Sequence, residues 1–317
     1  MPSPLPRIAR LRNPVVRPPE WLARLMSRLV LGTPALAVAA FMVERPGRVD
    51  STGREMTRAW LFDQWARIAE AGSAVRVVVV EGSVRGLRPD WTTYGQWTAA
   101  LDACRAAGQQ LYGYVPVTNG TRPLAEVAAE VTQWQANLGS RLTGIYLDEG
   151  PVSCSPAVAA SYRGYAQHIR SLGLRVYPLA PQWPDDATDA AGVSDPWMRQ
   201  LDPDFLQLWE EGVDAYLNRY GALDFCDTQN LLPPPAWWTA LWGWQPGVRV
   251  FGHSARRVHT INDCPDAPTM RQVIALAIQR SARTVWVTRA RQDPVLGSVY
   301  DELPPYWDEM VAFIRTP

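Results

Sequence analysis

Residues Leu142 to Pro151 read LTGIYLDEGP. A run of apolar and small residues that stops at two adjacent carboxylates, followed by Gly and Pro, is the pattern of a buried parallel strand whose last residues emerge at the mouth of a barrel. Period-two alternation puts Gly144, Tyr146 and Asp148 on one face and Ile145, Leu147 and Glu149 on the other. Branched aliphatics suit the helix-packed outside of a barrel. Asp148 is therefore expected to point into the mouth and Glu149 toward its rim.

On both sides of this stretch the pattern is strand, helix, strand, helix. Apolar strand candidates are Ala35 to Val43, Val75 to Glu81, Gln110 to Pro116, Leu142 to Glu149, Leu174 to Ala180, Phe205 to Glu211, Val248 to His253 and Thr284 to Thr288. Helical stretches fall between and after them: Met56 to Ala71, Tyr94 to Ala107, Pro123 to Leu138, Ala157 to Leu172, Pro196 to Leu201, Ala215 to Tyr220, Thr269 to Arg280 and Pro305 to Ile314. Gly72, Gly108, Gly139 and Gly173 punctuate the junctions. Eight βα units with no duplicated half predict an α/β chain built as a single (β/α)8 TIM-type barrel over residues 34–317. The long stretch Gly221 to Pro246, with Trp237, Trp238, Trp242 and Trp244, is expected to shape a substrate site or to cover the barrel as a packed subdomain.

Residues 1–33 read differently. They are rich in Pro and Arg and cannot build a core, which predicts an extended N-terminal arm with a short amphipathic segment around Trp21 to Leu29. A docked arm would imply a protein partner in an assembly. The apolar run near Leu29 to Val43 begins late, is interrupted by Pro34 and is needed as the first strand, so it does not read as a signal peptide. No stretch reaches the ~20 apolar residues of a membrane span. An extracellular or virion-associated setting is expected over a cytoplasmic one.

The chain has 317 residues, 47% hydrophobic and 20% charged, enough for a large core. Its formal net charge is zero, with 31 basic residues, all Arg, against 31 acidic ones, so bulk charge gives no reason to expect nucleic acid as a partner. Fifteen Trp supply faces that can stack on sugar rings, although core packing is their commoner use. Cys104, Cys154, Cys226 and Cys264 form no CxxC pair, which argues against a zinc site. One or two disulfides among the loops of Cys154, Cys226 and Cys264, or free thiols, both fit.

The polar residues expected at the C-terminal strand ends are Glu81, Asp148, Glu149, Glu210, Glu211 and His253, with Tyr114 and Arg122 beside the third strand. Carboxylates dominate. There is no Ser-His-Asp arrangement, phosphate-binding Gly loop or HExxH motif. Carboxylates set among aromatics are what glycoside hydrolysis needs: one acid to protonate the leaving oxygen, one carboxylate as nucleophile or base. A separation of about 5 Å would predict retention and about 6.5–9.5 Å inversion. Only three His are present and none is paired at ligand spacing, so no metal and no cofactor are expected. A structural ion pair is the plain alternative. In the sixth strand, alternation groups Gln207, Trp209 and Glu211 against Leu206, Leu208 and Glu210, and so prefers Glu211 as the inward acid.

Several stretches resemble the spherulin-4, or spherulation-specific, family: VRVVVVEGSVRG from Val75, LYGYVPVTNGTR from Leu111, GIYLDEGP from Gly144, DFLQLWEEGVDAY from Asp204 and WVTRARQDPVLGSVYDELPPYWDEM from Trp286. The resemblance runs from about Pro34 to the C-terminus. It implies a (β/α)8 glycoside hydrolase acting on amino-sugar exopolysaccharides such as galactosaminogalactan. The family's catalytic Asp-Glu pair falls on Asp148 and Glu149. Its second catalytic Glu follows an aromatic in the sixth strand, which implies Glu210 behind Trp209. The spacing to Asp204 and Tyr216 favours Glu210, while the following Gly212 favours Glu211. Tyr114, Arg122 and His253 are expected by analogy to line the sugar cleft, with Phe41, Glu81 and Trp209 as further substrate-binding candidates.

The mouth departs from the family's pattern. Phe41 stands where a Tyr is usual, Glu81-Gly82 where Asn-Pro is usual, Ala180-Pro181-Gln182 in place of Asn-Pro-Gly, and Arg289 where an Asp commonly follows. These changes bear on substrate choice. Two functions follow as expectations: a glycoside hydrolase for an amino-sugar exopolysaccharide or cell-surface glycan, or a non-catalytic glycan-binding or structural component of a larger assembly that keeps the barrel.

Overall fold

The computed structural model describes residues 34–150, 156–179, 201, 203–218, 257–279, 282–290, 292–293, 297–298 and 300–316. The arm at 1–33, the Trp-rich stretch 221–246, and the expectations placed on Pro196, Cys154, Cys226 and Ala180-Pro181-Gln182 lie outside them.

Eight parallel strands form one sheet in the order β5-β4-β3-β2-β1-β8-β7-β6. They are β1 Ala35–Ala40, β2 Val75–Val80, β3 Gln110–Pro116, β4 Leu142–Asp148, β5 Arg175–Pro178, β6 Leu206–Gly212, β7 Arg257–Asn262 and β8 Thr284–Val287. The edges β5 and β6 meet through a single parallel bridge between Leu179 and Gln207, which brings the sheet round into a barrel. Around it are α1 Arg58–Glu70, α2 Tyr94–Ala106, α3 Leu124–Leu138, α4 Pro156–Ser171, α5 Val213–Asn218, α6 Ala267–Gln279 and α7 Trp307–Arg315. This is the TIM-type (β/α)8 fold. No helix among the described residues is long and apolar enough to cross a membrane.

The helices dock because their apolar residues recur at helical spacing. In α3, Val127, Val131, Trp134 and Leu138 are the buried stripe, and in α1 the face is Trp60, Leu61, Gln64, Trp65 and Ile68. Gly113 of β3 makes room for this packing. A Cβ there would lie 2.6 Å from the Trp134 ring, so the glycine lets α3 close on the strand. Trp134 Nε1 then donates to the Tyr114 carbonyl at 3.0 Å, fixing the end of β3 where the site begins.

Two cores result. The outer one lies between strands and helices and includes Ile145 and Leu147, both fully buried. The inner one fills the barrel with Ala37, Val77, Val79, Tyr112, Tyr146, Tyr177, Leu179, Phe205 and Val258. Tyr112, Tyr177 and Phe205 meet edge to face or tilted, with ring centroids 5.6–5.9 Å apart, and plug the barrel beneath its mouth. Gly144 is required at this layer, since a Cβ would come within 2.5 Å of both the Tyr112 ring and the Arg175 carbonyl.

The seventh strand is a correction. It is Arg257–Asn262, whereas the expected Val248 to His253 lies outside the described residues. All six residues of β7 are buried although four are polar. The His259 ring is paired with the Tyr216 hydroxyl at 2.7 Å, so the strand hides polarity that its composition displays. Of the two alternatives left open for the cysteines, Cys104 and Cys264 take the second, as buried free thiols. Burial pushes the Cys104 thiol up to about 12, which makes it inert packing.

Candidate active site

At the C-terminal end of the barrel lies an open pocket of about 350 Å³. Its polar lining comes from Tyr146 and Asp148 of β4, Tyr177 of β5, Gln207 and Glu210 of β6, and Thr260 of β7, with Tyr300 from the segment after β8. Phe41, just past β1, adds an aromatic wall. Phe41 packs edge-on against Tyr114 at 5.2 Å and against Tyr300 at 5.8 Å.

Asp148 faces the pocket on the same side of β4 as Gly144 and Tyr146. Tyr146 donates to its Oδ1 at 3.1 Å, and Tyr114 and the Glu149 backbone amide also hydrogen-bond to it. Burial nevertheless raises the Asp148 carboxyl above its ordinary value, against the pull of those donors. The Tyr146 phenol is pushed well above its usual range by burial and then by the charges of Asp148 and Glu210, so it is a fixed neutral donor. Tyr177 is held in the same way by burial and then by Glu210.

Glu210 reaches the pocket because β6 does not alternate evenly. Gln207 pairs with Val258 but Trp209 pairs with His259, so Leu208 is an extra residue and the register shifts between Gln207 and Trp209. The bulge resets the faces. Gln207 and Glu210, three apart, both line the pocket, and Gln207 Nε2 donates to Glu210 Oε2 at 2.9 Å. Tyr300 donates to the other oxygen, Oε1, at 2.5 Å. Gln207 is itself oriented by Tyr177, whose hydroxyl donates to Oε1 at 3.1 Å. The side chain of Glu211 lies outside what the structure describes, and so does His253.

Four expected site residues are elsewhere. Trp209 is turned away by the bulge and packs in the outer core against Tyr216, ring centroids 5.2 Å apart, so it offers no platform to a sugar. Arg122 is spent on the β3–α3 connection: it donates to the Pro116 carbonyl at 2.8 Å and pairs with Glu130 at 2.9 Å. Glu81 caps the turn after β2 by accepting from the Ser83 amide at 2.7 Å. Glu149 is exposed on the rim, where its carboxylate accepts from the Thr118 amide at 3.1 Å and hydroxyl at 3.0 Å. Glu149, Thr118 and Asn119 all have positive φ, 55°, 47° and 54°, a rare conformation for non-glycine residues concentrated where two strand ends meet.

Residue-by-residue reading missed Gln207, Tyr177, Thr260, Asn262 and the role of Tyr300. Tyr146 carried a signal, since it shares a face with Asp148, and Tyr177 pairs with it in register. The contact from Tyr300 crosses 90 residues and leaves no periodic trace.

Among solved structures, the fold is similar to that of Aspergillus clavatus Sph3 in complex with GalNAc, at 18% identity and a TM-score of 0.60, covering 90% of this chain and 99% of that one. An endocellulase from Pyrococcus horikoshii in complex with cellotetraose aligns more loosely, at 10% identity and a TM-score of 0.47, over 80% of this chain and 85% of that one. At 18% identity, what the chain shares with the Aspergillus clavatus protein is the barrel. No curated protein matches the chain by sequence. The spherulation-specific family 4 does match it, over residues 57–314, most of the barrel and both pocket carboxylates, and the chain belongs to that family.

Proposed function

We propose that this chain is a glycoside hydrolase that cleaves an amino-sugar-containing exopolysaccharide or cell-surface glycan with Asp148 and Glu210 as its working carboxylates. The observation that carries the reading is that these two acids, from strands β4 and β6, line one aromatic pocket under different influences. Burial raises the Asp148 carboxyl, which suits a general acid that protonates the leaving oxygen. Glu210 accepts from a glutamine amide and a phenol, which suits the ionised partner, nucleophile or base. Phe41, with Tyr114 and Tyr300 packed against it, supplies the apolar faces that sugar rings use. The similar Aspergillus clavatus barrel was solved with GalNAc, which supports an amino sugar as the ligand class.

The test is release of reducing ends from a panel of amino-sugar polymers by the full chain. Wild type releases them, and Asp148→Asn and Glu210→Gln each lower kcat by about 10²–10⁴-fold. Folded wild type that releases none overturns the reading. Binding without release in the same panel would transfer it to the non-catalytic, glycan-binding alternative.

A further inference from the structure

Tyr300 is placed to do more than line the pocket. Its ring is 5% exposed and packs edge-on against Phe41, and its hydroxyl lies 2.5 Å from Glu210 Oε1 and 3.1 Å from Asn262 Oδ1. A phenol has one proton, so it cannot donate to both acceptors at once. At 2.5 Å the contact with Glu210 falls in the range of charge-assisted O–H···O⁻ bonds, which assigns the proton there when Glu210 is ionised. Gln207 holds the other oxygen and cannot turn away cheaply, because its own Oε1 accepts from Tyr177 at 3.1 Å.

We infer that Tyr300, backed by Asn262, is a positioning residue that sets the protonation of Glu210. When Glu210 is ionised, the phenol donates to it. When Glu210 takes up a proton, its O–H donates to the Tyr300 oxygen, and the phenol rotates its own proton to Asn262 Oδ1. No heavy atom moves: the Tyr300–Glu210 hydrogen bond is present in both states, and the bond to Asn262 Oδ1 forms when Glu210 is protonated. A carboxylate that must gain and lose a proton during turnover is then satisfied in both states. Among the described residues, the other titratable groups facing Glu210 are Asp148, Tyr114, Tyr146 and Tyr177. Of these Asp148 alone can carry charge near neutrality, and it lies on a different strand and has its own donors. This inference rests on the proposed glycosidase reading for its catalytic meaning, but not for its measurement.

Tyr300→Phe keeps the ring and deletes the proton. In the full chain, the Glu210 carboxyl titration is followed by ¹³C NMR with labelled glutamate, assigned through Glu210→Gln. Loss of the donor raises the Glu210 midpoint by about one pH unit. In activity assays the acidic limb of kcat/KM moves up by the same amount, and kcat falls about 10-fold or more with KM little changed. An unchanged or lowered midpoint overturns the inference. Because the titration needs no turnover, a wild type that cleaves nothing defeats the proposed function and leaves this measurement decisive. Should Tyr300→Phe fail to fold, 3-fluorotyrosine placed at position 300 is the substitute. Its phenol is a stronger donor, so the midpoint must fall, and a midpoint that stays or rises overturns the inference.

Discussion

Gln207 and Glu210 touch at 2.9 Å although they stand three residues apart on one strand, a spacing that even alternation forbids. The bulge between Gln207 and Trp209 makes the contact possible and also places Gln207 at the bridge to Leu179 that brings the barrel round. One amide thus links the seam of the fold to a pocket carboxylate. Replacing it with an apolar near-isostere, Gln207→Met, strips a partner from Tyr177 and from Glu210 Oε2 together. The expected result is a loss of about 1–3 kcal/mol of stability in urea titration, with a kcat decrease of about 10-fold. Unaltered stability would mean that water replaces both bonds at no cost.

Asp148 predicts a pH signature in stability. Its carboxyl is raised above 3.8 in the fold by burial. Below 3.8 it is protonated in folded and unfolded chains alike, whereas between 3.8 and the raised value the folded chain keeps a proton the unfolded chain has lost. Stability therefore falls as pH rises through that window, by about 1.4 kcal/mol for each unit of upshift. Asp148→Asn removes this slope. Its melting temperature should match wild type near pH 3 and exceed it at pH 7, while glycan cleavage is lost. A variant less stable than wild type at pH 7 would show that the donors from Tyr114 and Tyr146 outweigh burial.

Glu149 sits beside Asp148 in sequence but serves the rim in the structure. Its carboxylate captures Thr118 by both amide and hydroxyl, tying the end of β4 to the loop after β3 through three residues at positive φ. Strain of order 1–3 kcal/mol per such residue persists only where surrounding bonds over-determine it. Glu149→Gln keeps an acceptor for Thr118 and should retain kcat within about 10-fold, far above Asp148→Asn or Glu210→Gln. Glu149→Gly relieves its own φ but frees the loop, so KM should rise more than kcat falls. Equal losses in Glu149→Gln and Asp148→Asn would return Glu149 to the reacting centre.

The barrel was legible where burial and hydrophobicity coincide. In β4, Ile145 and Leu147 face the helices and the strand ends in acid, so its composition, face and role read together. In β7 they part company, because Arg257, His259, Thr260 and Asn262 are buried polar residues whose partners come from distant segments. Period-two counting also fails at β6, where one extra residue swaps the faces of everything after it. The family resemblance pointed to Glu210 there, since a match carries an irregular backbone that periodicity cannot express. It also carried Trp209 and Arg122 toward the cleft, and geometry sends Trp209 into packing and Arg122 into an ion pair with Glu130.

Trp209 offers the sharpest separation of packing from binding, because it adjoins Glu210 in the chain and faces the other way. It is 1% exposed, packed on Tyr216, and paired across the ladder with His259, whose ring accepts or donates to the same tyrosine. Truncation to alanine would open a large cavity between β6 and α5 and cost about 3–5 kcal/mol. Trp209→Phe keeps most of the volume and should cost less, within about 1–3 kcal/mol. Since neither variant touches the pocket, Trp209→Phe should leave KM for the polymer within about twofold while lowering the urea midpoint. A stacking platform behaves the other way, with KM rising steeply and stability nearly unchanged. Measuring both quantities on one preparation of Trp209→Phe therefore tells which face of β6 the tryptophan occupies, and with it whether the bulge at Leu208 sets the strand's register in solution.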